Sequence, residues 1–321
     1  MRLPPALTGL PNRLLHCRGW TRARLAVADL ITLAIGLSLA AAVLHGTWNV
    51  LVKVSSDPMG TFRRATIVAA LATTPIALAA WLITGRPGLT PAAAGLAAIS
   101  AVLELIYLWL LSAAYRRGEL SVVYPIARGS APLLAVVAGL GVLGERLAPA
   151  QLAGVALLLL GILGVTLPQT SGRATMPALL TGVSIAAYTA VDRVGVRLST
   201  PWLYGWLLIA LLAAYLVIST WVSAKLPRGR NSLPDPTEWG TPAQAVTWRQ
   251  SAVIGIFMWT GYLLVLAALS IAPLAVVAPV RETAIVAVAI WGVWKLHERR
   301  GAPLKLLGAG ATLLGVALLA F

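Results

Sequence analysis

Apolar runs long enough to cross a bilayer recur along this chain, parted by short polar links. Ten stretches approach the roughly 20 residues that a spanning helix needs: 30–52, 62–84, 91–114, 121–143, 150–168, 175–195, 202–224, 250–270, 273–294 and 303–321. The links SSDPMG at 55–60, GRPG at 85–88 and GER at 144–146 carry turn residues. The segment 225–249 is the exception, a proline-rich loop of mixed charge. Backbone groups in hydrocarbon must find partners within their own segment, so runs like these fold as helices. Composition agrees: the 321 residues are 59% hydrophobic and 11% charged, where a soluble protein carries about 25% charge. The fold class is all-α integral membrane.

The basic residues behind the formal charge of +15 cluster in short links between the apolar runs and in the N-terminal tail. That is the distribution of membrane-flanking loops against anionic headgroups, so no nucleic acid is expected as a partner. With the basic tail cytoplasmic, most loop cations would face the other side, against the positive-inside rule, and topology stays open. Cys17 is the single cysteine, and His16, His45 and His297 lie far apart. The spacing offers no metal set, no disulfide and no cofactor motif. A nucleotide-binding G-x-x-x-x-G-K-[ST] run is also missing, so ATP is not the expected energy source.

One stretch occurs twice. Residues 118–145 read GELSVVYPIARGSAPLLAVVAGLGVLGE, and 271–298 read IAPLAVVAPVRETAIVAVAIWGVWKLHE. Both copies place an arginine seventeen residues before a glutamate: Arg128 with Glu145, then Arg281 with Glu298. Gly154 with Gly161 and Gly308 with Gly315 repeat a seven-residue spacing that suits close helix packing. Lys53 follows Trp48 by five residues, as Arg193 follows Tyr188. The reading is ten transmembrane helices as two inverted five-helix repeats, because an odd number of spans makes the second copy enter from the opposite side. The division is a basic tail at 1–28, a first repeat at 29–168 and a second at 169–321.

LHGTWNVLVK at 44–53, YRRGELSVVYPIARGSAPL at 115–133, LGERLAPAQLAGVALLLLGI at 143–162 and a weaker second copy at 273–315 carry a resemblance. The chain resembles the EamA group of the drug/metabolite transporter superfamily from about residue 30 onward. The second copy departs from the first, with Ala278 and Pro279 where the first has Tyr124 and Pro125. The resemblance implies a central cavity and transport of small metabolites by alternating access. The expected location is the plasma (inner) membrane of a bacterium, and the expected partners are the lipid bilayer and a small-molecule substrate. Protons or a counter-substrate are the candidates for coupling. A non-transporting receptor or scaffold is the alternative, with a membrane-embedded enzyme behind it.

Intramembrane charge marks the candidate residues, because it is costly and normally faces a cavity or partner. Arg128 lies early in the fourth span, in the Tyr124-Pro125 context, as a fixed positive charge for an anionic group. Arg281 matches it, but Glu282 beside it can neutralise it locally. His45 and Asn49 share a helix face at i, i+4 with Trp48 beside them. His45 is a candidate proton relay, since histidine titrates near neutral pH. Glu104 sits mid-span near Tyr107, a candidate for proton coupling, for a cationic group, or as the partner of Arg128. Trp259 and Tyr262, three apart, could stack on a substrate. Asp192 is expected to pair with its neighbour Arg193, and Glu145 and Glu298 to punctuate span ends at the interface.

Overall fold

The computed structural model describes residues 12–53, 55, 57–117, 120–166, 175–225, 246–284 and 302–319. Their elements are all helices: α1 Asn12–Lys53, α2 Pro58–Ile83, α3 Pro91–Arg117, α4 Leu120–Val137, α5 Pro149–Thr166, α6 Thr175–Gly195, α7 Pro201–Lys225, α8 Trp248–Ile271, α9 Leu274–Arg281 and α10 Ala302–Leu319. They fall on the expected spans. In the ninth, residues 285–294 lie outside the described residues. Two boundaries differ from expectation. α1 runs back into the stretch read as a tail, because no proline interrupts 12–53. α4 continues through a π-helical turn, Ala138–Val142.

Local chemistry explains the ends. α2, α3, α5 and α7 each begin on proline, whose missing N–H costs nothing in a first turn. The Asp57 side chain caps α2, accepting from the Gly60 amide at 2.9 Å. Thr247 and Gln250 form a reciprocal capping box at α8.

Five helices are long and apolar enough to cross a membrane, through Asp29–Val52, Pro58–Ile83, Pro91–Tyr115, Pro201–Val222 and Trp248–Ile271. Shorter apolar stretches lie in α4, α5 and α10. α6 stands apart: it buries Asp192 and Arg193 and packs against both α3 and α4. The packing comes in matched sets. α3 lies on α6 and α1 on α8; α2 lies on α8 and α7 on α3; α2 meets α7, α4 meets α9 and α5 meets α10.

The α5–α10 contact uses the paired glycines. A Cβ on Gly154 would stand 2.9 Å from the Gly315 carbonyl oxygen, and one on Gly315 would stand 2.7 Å from that of Gly154. Gly161 faces Gly308 and Thr312 with no room for a side chain. Close backbone approach replaces hydrophobic burial as the adhesive here, as suits helices already in lipid.

Candidate functional site

α1, α3, α6, α7 and α8 enclose a cavity of about 40 Å³, bounded by His45, Trp48, Glu104, Tyr107, Tyr188, Trp259 and Tyr262 with aliphatic neighbours. That volume holds a few waters, so a metabolite would need the helices to part. The aromatic wall is continuous. Tyr107 and Tyr188 meet edge to face at 5.7 Å, Tyr188 and Tyr262 at 5.9 Å, and Trp259 lies 6.5 Å from Tyr262. The indole N–H groups of Trp48 and Trp259 are buried without a hydrogen-bond partner among the described residues. A buried donor left unpaired costs roughly 1–3 kcal/mol, so these two are available to an acceptor that enters.

Behind the wall, α4 and α9 meet through charge. Arg128 Nη1 donates to both Glu282 oxygens, at 3.1 and 3.3 Å. Arg281 Nε donates to one of them at 3.0 Å. All three side chains are at most 3% exposed. Two guanidinium groups thus share one carboxylate. Arg281 Nη1 is buried with no hydrogen-bond partner among the described residues. Both arginines interact electrostatically with the wall tyrosines Tyr107 and Tyr188.

Asp192 lies deeper in α6. It accepts from the Tyr204 hydroxyl at 2.6 Å and from the Tyr262 hydroxyl. Glu104 shares the cavity wall with Tyr262, and it interacts electrostatically with Asp192 and with Arg281. His45 Nδ1 is held at 2.8 Å by the Ala41 carbonyl. Asn49 is satisfied by helix bonds: it donates to the His45 carbonyl at 2.7 Å and accepts from the Tyr115 hydroxyl at 2.8 Å.

At one end of the bundle the chain tail of α4 reaches the second half. Gly144 adopts φ 64°, a left-handed turn that glycine makes without strain. The next residue, Glu145, accepts from Arg193 Nε at 3.1 Å. It also accepts from the amides of Leu274 at 2.7 Å and Ala275 at 3.0 Å, the first residues of α9. Arg193 donates in addition to the Leu269 carbonyl of α8.

Six sequence candidates therefore gather on one cavity: His45, Trp48, Glu104, Tyr107, Trp259 and Tyr262. Asn49, Arg128 and Arg281 do not bound it. The side chains of Tyr124 and Lys53, and all of Glu298, lie outside the described residues. Three expectations are corrected. Arg128 pairs with Glu282, not Glu104. Asp192 does not pair with Arg193: it accepts from Tyr204 and Tyr262, while Arg193 reaches Glu145 and the Leu269 carbonyl. Glu145 is no interfacial mark: it is 8% exposed and bridges three elements. The Arg281–Glu282 neighbour pair does form. Tyr188 and Tyr204 were not singled out, and Glu282 was read only as the neighbour of Arg281; of the two tyrosines, Tyr188 had a sequence signal, its match to Trp48 in the other copy.

The elements and this buried polar centre define a multi-pass integral membrane protein. Residues 32–167 match the EamA-like transporter family. The first half of the chain is thus similar to that family, and the match stops before the second copy. No curated protein matches the chain. A solved structure described only as "Crystal structure of protein" is similar to it with TM-score 0.60 at 17% identity, over 89% of this chain and 97% of that one. At that identity the likeness speaks for the fold alone. Among the described residues no group of histidine, cysteine and carboxylate side chains could hold a metal ion.

Proposed function

We propose that the chain is a secondary transporter that moves a small polar, anionic metabolite by alternating access between two inverted five-helix repeats. The observation that carries the reading is a cavity with two unpaired indole N–H groups on its wall, backed by two arginines on one carboxylate. Such a site is built to receive acceptor oxygens, and a carboxylate or phosphate meets the excess positive charge as well.

The repeat reading draws support from the packing. Exchanging α1–α5 with α6–α10 turns the α3–α6 contact into α8–α1, and the α2–α8 contact into α7–α3. Helices from both halves bound the cavity, which is where a site for alternating access belongs. Its small volume suits a closed state between the two open ones. The test is uptake into proteoliposomes with a panel of metabolites, with and without an imposed pH gradient. Saturable flux of a member of the panel is expected. A folded protein that moves none of them contradicts the transporter reading.

A further inference from the structure

Resting on that transporter reading, we infer that Glu282 is a built-in stand-in for the cargo. Its carboxylate holds Arg128 and Arg281 when no cargo is bound, and the anionic group of the cargo displaces it. The contacts lead there. Arg128 Nη1 donates to both Glu282 oxygens, at 3.1 and 3.3 Å, and Arg281 Nε donates to one of them at 3.0 Å. Two buried guanidinium groups without a carboxylate would be costly, so something must hold them between cargoes. Glu282 does so incompletely: Arg281 Nη1 stays buried with no hydrogen-bond partner among the described residues. The three groups sum to one positive charge, and a singly charged anion beside them brings the sum to zero.

The backbone under Glu282 is made to let go. α9 ends at Arg281 after eight residues, about 12 Å of rise within a hydrocarbon layer of about 30 Å. Glu282 and Thr283 form a turn, and helical backbone returns at Ala284. Pro279 has no N–H to give to the ladder. The turn is closed by short-range bonds, from the Glu282 amide to the Pro279 carbonyl at 3.1 Å and from the Thr283 amide to the Val280 carbonyl at 3.2 Å. A residue at such a break can swing without unwinding a helix. The turn also touches the cavity wall. A Cβ on Gly46 of α1 would stand 3.5 Å from the Ala284 side chain, and Gly46 follows the wall residue His45. Glu145 is the contrast: two helix-start amides hold its carboxylate besides Arg193, so it stays.

Thermal unfolding of the purified full chain in detergent, titrated with propionate, tests this without any flux. Propionate carries the carboxylate of a glutamate side chain, and propionamide is its neutral match. Glu282→Gln removes the competitor and keeps its size. Half-maximal stabilisation should then need at least about tenfold less propionate than in wild type, because a site open about 10% of the time binds tenfold more weakly. Adding Arg281→Gln should remove the gain. No gain in Glu282→Gln, or a gain that propionamide shares, overturns the assignment. Should that variant not fold, Glu282→Asp decides: its carboxylate falls one methylene short of the arginines, and a half-point no lower than that of wild type overturns the inference. A gain in propionate affinity without metabolite flux defeats only the transporter reading, and flux without the gain defeats only the stand-in.

Discussion

Two arginine–carboxylate sites in this molecule look alike on paper and differ in how they are completed. At the end of the bundle, Glu145 and Arg193 stand one to one, and further partners saturate both: two α9 amides for the glutamate, the Leu269 carbonyl for the arginine. At the centre, Arg128 and Arg281 share Glu282, and Arg281 keeps a buried N–H without a partner. A saturated pair holds parts together. An unsaturated one leaves affinity for something that arrives. The first site is thus expected to carry stability and the second to carry function.

Glu145→Ala breaks the comparison at its structural end. It strands a buried arginine and two helix-start amides, and removing one partner of a buried pair costs about 3–5 kcal/mol. Thermal unfolding in detergent should show this as the largest loss in the series. A small shift would mean that the pair is not the clamp described. At the α5–α10 crossing, Gly161→Leu forces side-chain atoms into backbone and should cost about 1–3 kcal/mol by the same measurement. Asn49→Leu removes the bond from Tyr115 between helices and the local bond to the His45 carbonyl within α1. Bonds between helices in membranes average about 0.6 kcal/mol, so the unfolding temperature should barely move. At the functional end, Glu104→Gln should leave the unfolding temperature near that of wild type and remove the acceleration of uptake by an inward proton gradient. Retained acceleration would separate coupling from this carboxyl group.

Much of the fold was legible because hydrocarbon imposes helices on any long apolar run, and prolines mark where several of them start. The cavity was legible for a related reason: a polar or aromatic group on an apolar span has few places to go. His45, Trp48, Glu104, Tyr107, Trp259 and Tyr262 were found that way. What stayed hidden was pairing between helices. Asp192 and Arg193 are neighbours in sequence, and only the fold sends one toward Tyr262 and the other toward Glu145. Glu145 looked like an exposed end because the helix it caps begins 129 residues later. The Arg-x16-Glu repeat marked both arginine sites, yet it could not say that Arg128 would cross to Glu282.

The central claim is that the unpaired donors read negative charge, and uptake by proteoliposomes of matched anionic and neutral analogues tests it most directly. A carboxylated or phosphorylated compound should be taken up saturably, its neutral amide or alcohol counterpart should not, and Arg281→Gln should erase the difference while leaving the protein folded. Equal uptake of the neutral counterpart, or full charge selectivity in Arg281→Gln, would contradict the account.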